Sequence, residues 1–277
     1  MYSVRLPFFL SFFLSFALLI ASSSAWAQDT VAEVGAADPL EEVRACMSRN
    51  RPAVSAVQTV SLTSRDRTGA ERESRATVYW QKHKEEGAKV MLRFFSPPDM
   101  RGAGLLVLQK DEDQTDMFMY LPEVGRVRRV TQHMAGGSMF GTDFTYEDFE
   151  RIHGLAKEGK ATRLPDEELD GAAVYVIDGL SDEGEGKPGQ RSLAYVDQET
   201  CIARKVEFYE KGDRLRRVLT SDVTDLIEEG GLRIPRQIAA RDLRDNTEST
   251  LVVEKIEIDD TISRKIFSVH CLEHCKN

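Results

Sequence analysis

FFSPPDMRGAGLLVLQ (94–109), DMFMYLPEVGRVRRV (116–130) and GGSMFGTDFTYEDF (136–149) form the block that decides how this chain folds. Leu105-Leu106-Val107-Leu108 and the run Met117 to Leu121 are apolar at consecutive positions. A half-exposed antiparallel strand alternates, so a strand built from either run is apolar on both faces and needs cover on both. Six of the seven non-initiator methionines (Met91, Met100, Met117, Met119, Met134 and Met139) lie between residues 90 and 140. Methionine adapts to variable apolar partners and equally fills gaps in a thick core, so both readings of the block stay open.

Working outward, the signals are mostly strands separated by Gly, Pro or charged turns: 57–63, 75–81, 88–95, 104–110, 117–122 and 127–132, then 174–179, 191–197, 203–210, 214–223, 233–242 and 250–258. Two helices interrupt them. Pro39, after the cap candidate Asp38, opens an amphipathic stretch over 39–50 with Leu40, Val43 and Met47 at helical spacing. Thr145-x-x-Asp148 is a capping pattern that opens a helical turn over 146–153. Lys211-Gly212 and Glu229-Gly230-Gly231 read as hairpin turns. The regular spacing implies antiparallel connections, and the chain shows neither an internal repeat nor a long Gly- or Pro-rich linker. The expectation is mainly β structure with short helices, in one domain over 39–269. Residues 28–38 read as a flexible start and 270–277 as a C-terminal tail.

The first 27 residues carry one basic residue, Arg5, an apolar run from Leu6 to Ala21, and then Ala25-Trp26-Ala27. This small-x-small pattern marks a cleaved signal peptide over 1–27; an uncleaved anchor is the competing reading, because the run approaches membrane-spanning length. The mature chain is therefore expected to be exported from the cytoplasm. Loss of the leader makes the formal charge of −9 one unit more negative, which argues against general affinity for nucleic acid or anionic headgroups. Four cysteines, Cys46, Cys201, Cys271 and Cys275, favour disulfides in an oxidising compartment. Cys46 joined to a C-terminal cysteine would staple the two ends together, but connectivity is open. His270-Cys271 and His274-Cys275 approach metal-ligand spacing, yet no other ligand cluster supports them and no metal is assigned.

Several ordered matches resemble one family, the outer membrane lipoprotein-sorting proteins related to the periplasmic lipoprotein carrier LolA. They are Phe94-Phe95, Pro97-Pro98-Asp99, Arg101-Gly102, Met119-Tyr120-Leu121-Pro122, Arg128-Arg129-Val130, Phe140-Gly141-Thr142-Asp143-Phe144 and Tyr146-Glu147-Asp148. Glu207-Phe208-Tyr209, Gly212, Ile234-Pro235 and Phe267 extend the likeness more loosely. Two departures are visible: Gly141-Thr142-Asp143 stands for the family's Gly-Ser-Asp, and Phe118 or Met119 for a Trp before Tyr-Leu-Pro. The resemblance implies a single curved antiparallel sheet forming an incomplete, half-open β-barrel closed by helices over a hydrophobic cavity. It also implies a carrier for the acyl chains of lipid or lipoprotein in the periplasm of a Gram-negative bacterium, beside an inner-membrane transporter of the RND type; the chain is read as a monomer.

Alternation puts Val90, Leu92 and Phe94 on one face, Leu106 and Leu108 on one face, and Met117, Met119 and Leu121 on one face, without saying which points inward. The expected cargo-binding residues are Leu92, Phe94, Leu106, Leu108, Met117, Met119 and Leu121, with Phe140 following the Gly136-Gly137-Ser138 loop. Arg126, Arg128 and Arg129 are candidate contacts for a partner or a headgroup; the structural alternative is an outer strand face paired with acidic residues or tying down Asp143. The sequence lacks Gly-x-Ser-x-Gly, a phosphate-binding loop and His-Glu-x-x-His, and Asp143, Glu147 and Asp148 suit capping better than acid/base work. Hence no catalytic residue and no cofactor is expected. The alternatives to a carrier are a lipid-sensing module similar to regulators of envelope-stress anti-sigma factors and, further off, a lipid hydrolase.

Overall fold

Strands dominate the computed structural model, which describes residues 39–50, 54–83, 87–110, 114–155, 160–180 and 190–275. The expected signal peptide and the segment up to Asp38 lie outside these residues. The described residues belong to one compact unit, Ala37–Asn277. Helix α1 (Pro39–Ser48) is followed by β1 (Ala56–Arg65), β2 (Glu71–His83), β3 (Gly87–Ser96), β4 (Gly104–Gln109), β5 (Thr115–Leu121) and β6 (Arg126–Arg129). Next come α2 (Gln132–Ala135), α3 (Tyr146–Ile152), β7 (Lys160–Leu169), β8 (Ala172–Leu180), β9 (Arg191–Asp197), β10 (Ala203–Glu210) and β11 (Arg214–Ser221). The chain closes with β12 (Leu226–Glu229), β13 (Leu232–Pro235), β14 (Gln237–Asp242), β15 (Thr247–Ile258), a 3-10 turn (Arg264–Ile266) and α4 (Val269–His274).

One curved antiparallel sheet of 13 strands, in the order β6-β5-β4-β3-β2-β1-β15-β14-β11-β10-β9-β8-β7, forms the body, with β12-β13 as a separate hairpin. It is not closed into a barrel, because β6 and β7 are its two edges although they are consecutive in the chain. The connection between them must therefore travel from one edge to the other, and it does so across one face. Val130, Met139, Phe144, Tyr146, Phe149 and Leu155 from this connection pack with Val60, Val78, Leu92, Leu105 and Val107 from the strands. We call this the inner face. The opposite face of β3–β6 is covered by the C-terminal segment: Ile262, Phe267 and Leu272 pack on Met91 and Leu106. The two-sided apolar strands read from the sequence are thus covered on both sides, which is why they do not alternate.

The expected C-terminal tail overlaps α4, whose Leu272 is fully buried. Two features fix it there. Arg93 reaches out of β3 and donates to the carbonyls of Cys271, Leu272 and Cys275, satisfying groups that a helix end leaves open. Gly104 lets the backbone come close, since a Cβ there would sit 2.6 Å from the Leu92 carbonyl and 3.1 Å from Leu272 Cδ1. The disulfides also differ from the end-to-end staple: Cys46 pairs with Cys201, and Cys271 with Cys275. Cys201 is the member of the first pair that lies in the β9-β10 turn, far from the C-terminus.

Strand β7 was not anticipated, because Pro165 and the acidic Asp166-Glu167-Glu168 argue against a strand. Its position explains it: an edge strand tolerates proline, and the register slips between Leu164 and Glu167, around that proline. The stretch expected as one strand over 233–242 is two, β13 and β14, separated at Arg236, whose guanidinium is held by Asp225 at 2.9 Å. Gly230 and Gly231, at φ of 56° and 80°, make the two-residue β12-β13 turn.

Candidate functional site

The inner face of β3–β5 is built by register. Leu92 lies opposite Leu105, and Leu105 opposite Met119; Val90 lies opposite Val107, and Val107 opposite Met117. These rows are buried. Above them sit Phe140, whose ring meets Phe94 edge-on at 5.0 Å, and Tyr146, whose hydroxyl lies 3.4 Å from the Met119 sulfur. Leu121 and Phe140 are only half-buried, so this is where the apolar lining reaches the surface.

The structure brings together six of the eight expected lining residues: Leu92, Phe94, Met117, Met119, Leu121 and Phe140. Leu106 and Leu108 face the other way, grouped with Met91, Phe267 and Leu272; Leu105 and Val107 take their inner places. The arginine cluster divides in the same way. Arg128 lies opposite Met119 and Arg126 opposite Leu121, whereas Arg129 pairs with Phe118 on the outer face and is held by Asp116.

The Gly141-Thr142-Asp143-Phe144 motif and α3 rivet the crossing segment to the far half of the sheet. The Asp143 carboxylate accepts hydrogen bonds from Thr247 and from Ser249 (2.7 Å), and its backbone N–H donates to Ser249 Oγ at 2.9 Å. The three arginines of the 126–129 cluster play no part in holding it. Thr145 caps α3 by accepting from the Asp148 N–H at 3.1 Å, while the Asp148 carboxylate accepts from the Thr145 N–H at 2.8 Å, the reciprocal box read from the sequence. The same carboxylate, fully buried, is gripped by both terminal nitrogens of Arg217, with Nη2 at 3.0 Å from Oδ1. The Arg217 guanidinium lies 4.3 Å from the centre of the Phe208 ring. Sequence reasoning missed Arg217, Thr247 and Ser249. Nothing local separates Arg217 from its exposed neighbour Arg214; only the pairing of β10 with β11, which sets Arg217 opposite Phe208, turns it inward.

His153 follows α3, is buried, and packs against Phe149 (ring centres 4.2 Å) and Trp80 (6.1 Å). Its Nδ1 lies 2.7 Å from the Phe149 carbonyl oxygen. Burial pushes the imidazole down from 6.5 to about 4, so it is neutral in the fold at pH 7. The unfolded chain takes up a proton as pH falls below 6.5 and the folded one does not until about 4, so stability falls across that window as pH drops. Between pH 8 and 5 the protein is expected to lose about 2 kcal/mol more unfolding free energy than a His153→Leu variant, as read by urea titration. Equal losses in the two proteins would remove His153 as the cause.

A separate cleft of about 430 Å³ is lined by Asp197, Thr200, Arg204, Val223, Glu228 and Arg233, among others. It is polar, with Arg204 held by Asp197 at 2.7 Å and Arg233 by Glu228 at 2.9 Å, so it does not suit an alkyl chain. Among the described residues no helix is long and apolar enough to cross a membrane.

A curved, unclosed antiparallel sheet with an apolar inner face crossed by a helix is the LolA-like architecture, and solved structures of that class match. A domain described as an outer membrane lipoprotein-sorting protein from Vibrio parahaemolyticus aligns with a TM-score of 0.72 at 17% identity, covering 84% of this chain and 97% of that one. A DUF1329 family protein from Desulfovibrio piger gives 0.73 at 20% identity over 85% and 99%. A LolA superfamily protein from Nitrosomonas europaea gives 0.62 at 19% identity over 82% and 96%. Residues 86–274 match the model of a family described as "Uncharacterized protein", and the chain belongs to that family. No curated protein matches the sequence. The half-open barrel expected from the resemblance is borne out.

Proposed function

We propose that the mature chain is a periplasmic carrier that takes the acyl chains of a lipid or lipoprotein onto the inner face of β3–β5 and passes its cargo to or from an inner-membrane transporter of the RND type, working as a monomer. The observation that carries this reading is the continuity of the lining: half-exposed Leu121 and Phe140 open directly onto buried Met119 and Phe94. The face is large, apolar and roofed by a separate chain segment rather than by a second sheet, so a chain can replace part of the roof without breaking a ladder. At about 0.8 kcal/mol per methylene, a chain of roughly 14 to 16 carbons gains on the order of 10 kcal/mol on leaving water, enough for a soluble carrier to compete with a bilayer. The structure of similar fold described as an outer membrane lipoprotein-sorting domain supports the same reading, as does the signal peptide read at 1–27. Asp143 and Asp148 are committed to holding the roof, and the Glu150 carboxylate accepts from the Thr115 hydroxyl on β5.

The test is native mass spectrometry of the mature protein purified from the periplasm of its own host, with extraction and identification of what comes off. A stoichiometric acylated molecule is expected. In a Leu121→Glu variant, which sets a carboxylate at the entrance, occupancy is expected to fall several-fold, since a charge there is costly to desolvate against a chain. An empty wild type, or a variant carrying as much as the wild type, would count against the site.

A further inference from the structure

We infer that Arg126 and Arg128 form a recognition site for the anionic head of an amphiphilic cargo, so that the carrier selects acidic amphiphiles over neutral ones. This rests on the carrier reading and deepens it. Three observations converge at the β6 edge. First, register places both residues on the inner face of the sheet, Arg128 opposite Met119 and Arg126 opposite Leu121, while Arg129 belongs to the other face. Second, this acidic protein, with a formal charge of −9, engages arginine after arginine with carboxylates: Arg129 with Asp116, Arg163 with Glu42, Arg191 with Asp178, Arg217 with Asp148. Arg126 and Arg128 are exposed and, like Arg49, Arg67 and Arg241 elsewhere, make no hydrogen bond or ion pair with another described residue; what sets them apart is that the two share one strand face beside the apolar lining. Two like charges two residues apart on one strand face repel each other, and an anion between them relieves that repulsion. Third, β6 is the last strand of the sheet, so the pair stands at the open rim of the lining.

That arrangement fits one kind of molecule: an alkyl chain lying inward along Leu121 and Phe140, with a phosphate or carboxylate at the rim held by forked guanidinium hydrogen bonds. An extended anionic surface fits less well. Two arginines attract an anionic bilayer only weakly, against the long-range repulsion of the whole acidic protein.

The experiment uses delipidated mature protein and two amphiphiles with the same chain, dodecyl phosphate and dodecyl maltoside, each below its micellar concentration, with inorganic phosphate as the head alone. Binding is read by calorimetry. The wild type is expected to bind dodecyl phosphate about tenfold tighter than dodecyl maltoside, the scale of a charge-assisted contact. The Arg126→Gln/Arg128→Gln double variant is expected to bring that ratio near one, and Arg129→Gln to leave it as in the wild type. A ratio that survives in the double variant, that falls as much in Arg129→Gln, or that is near one in the wild type overturns the inference, as does inorganic phosphate binding as tightly as dodecyl phosphate. If neither amphiphile binds the wild type, the carrier reading itself fails and takes this inference with it.

Discussion

Replacing Asp148 with alanine is expected to lower the unfolding free energy by about 3–5 kcal/mol, the cost of removing one partner from a buried ion pair. The carboxylate caps α3 through the Thr145 N–H, neutralises Arg217 beside the Phe208 ring and pairs with Arg151 at 3.5 Å. Without it, Arg217 keeps a guanidinium in a nearly closed site where, among the described residues, the Asp143 carbonyl at 3.4 Å is its one remaining hydrogen-bond acceptor. Losing the cap adds about 1 kcal/mol. An exposed pair gives the scale of contrast. Arg65 and Glu71 are 2.7 Å apart with more than half of each side chain in solvent, and breaking that contact should cost no more than about 1 kcal/mol. A double-mutant cycle with Arg217→Met, followed by urea unfolding, checks the assignment. Coupling of at least about 1.5 kcal/mol is expected, and additive effects within about 0.5 kcal/mol would show that the pair does not hold α3. Because α3 roofs the inner face, the alanine variant should also bind a hydrophobic dye more strongly while still folded.

How much of this was legible in the sequence follows from which signals are local. The capping box at Thr145 and Asp148 is local chemistry and was readable to the residue. The central strands were readable because β-rich apolar runs separated by turns have few other fates. The face of β4 was not readable: with Leu or Val at four successive positions there is no alternation to follow, and the answer depends on a C-terminal segment more than 150 residues away supplying Phe267 and Leu272 to cover Leu106. Strand β5 shows the limit from the other side. Met117, Met119 and Leu121 alternate with Phe118 and Tyr120, so the shared face was read correctly, while its direction came only from pairing with β4. The far anchors of Asp143 were invisible for the same reason, since Thr247 and Ser249 look like ordinary polar positions of a strand until register brings them under the crossing segment. What joins distant parts of the chain escapes local reading, and here those joints are the roof of the inner face.

The Cys46–Cys201 disulfide is a covalent joint of this kind, and removing it by a double alanine variant is expected to cost about 3–5 kcal/mol in unfolding free energy. Its partners are 155 residues apart in sequence, and in the chain-entropy account the restriction of the unfolded chain grows with the logarithm of that separation. The Cys271–Cys275 bridge spans a separation of only 4, between neighbours already brought together by one helical turn, so its loss restricts the unfolded chain far less. Arg93 would still hold the carbonyls at that helix end. The two double variants, compared by urea unfolding under oxidising conditions, should therefore differ by at least about 2 kcal/mol, with the Cys46/Cys201 variant the weaker. The contacts of α1 set a second readout. Apart from Cys46 its buried side chains are Leu40 and Val43, with Glu42 reaching Arg163 at 2.6 Å. So short a contact face makes α1 the first element to open when the bridge is gone, and limited proteolysis should cut near it before any other helix. Equal stability of the two variants, with α1 still protected, would mean that the packing of Leu40 and Val43 holds the N-terminal helix and that the covalent link is redundant in the folded protein.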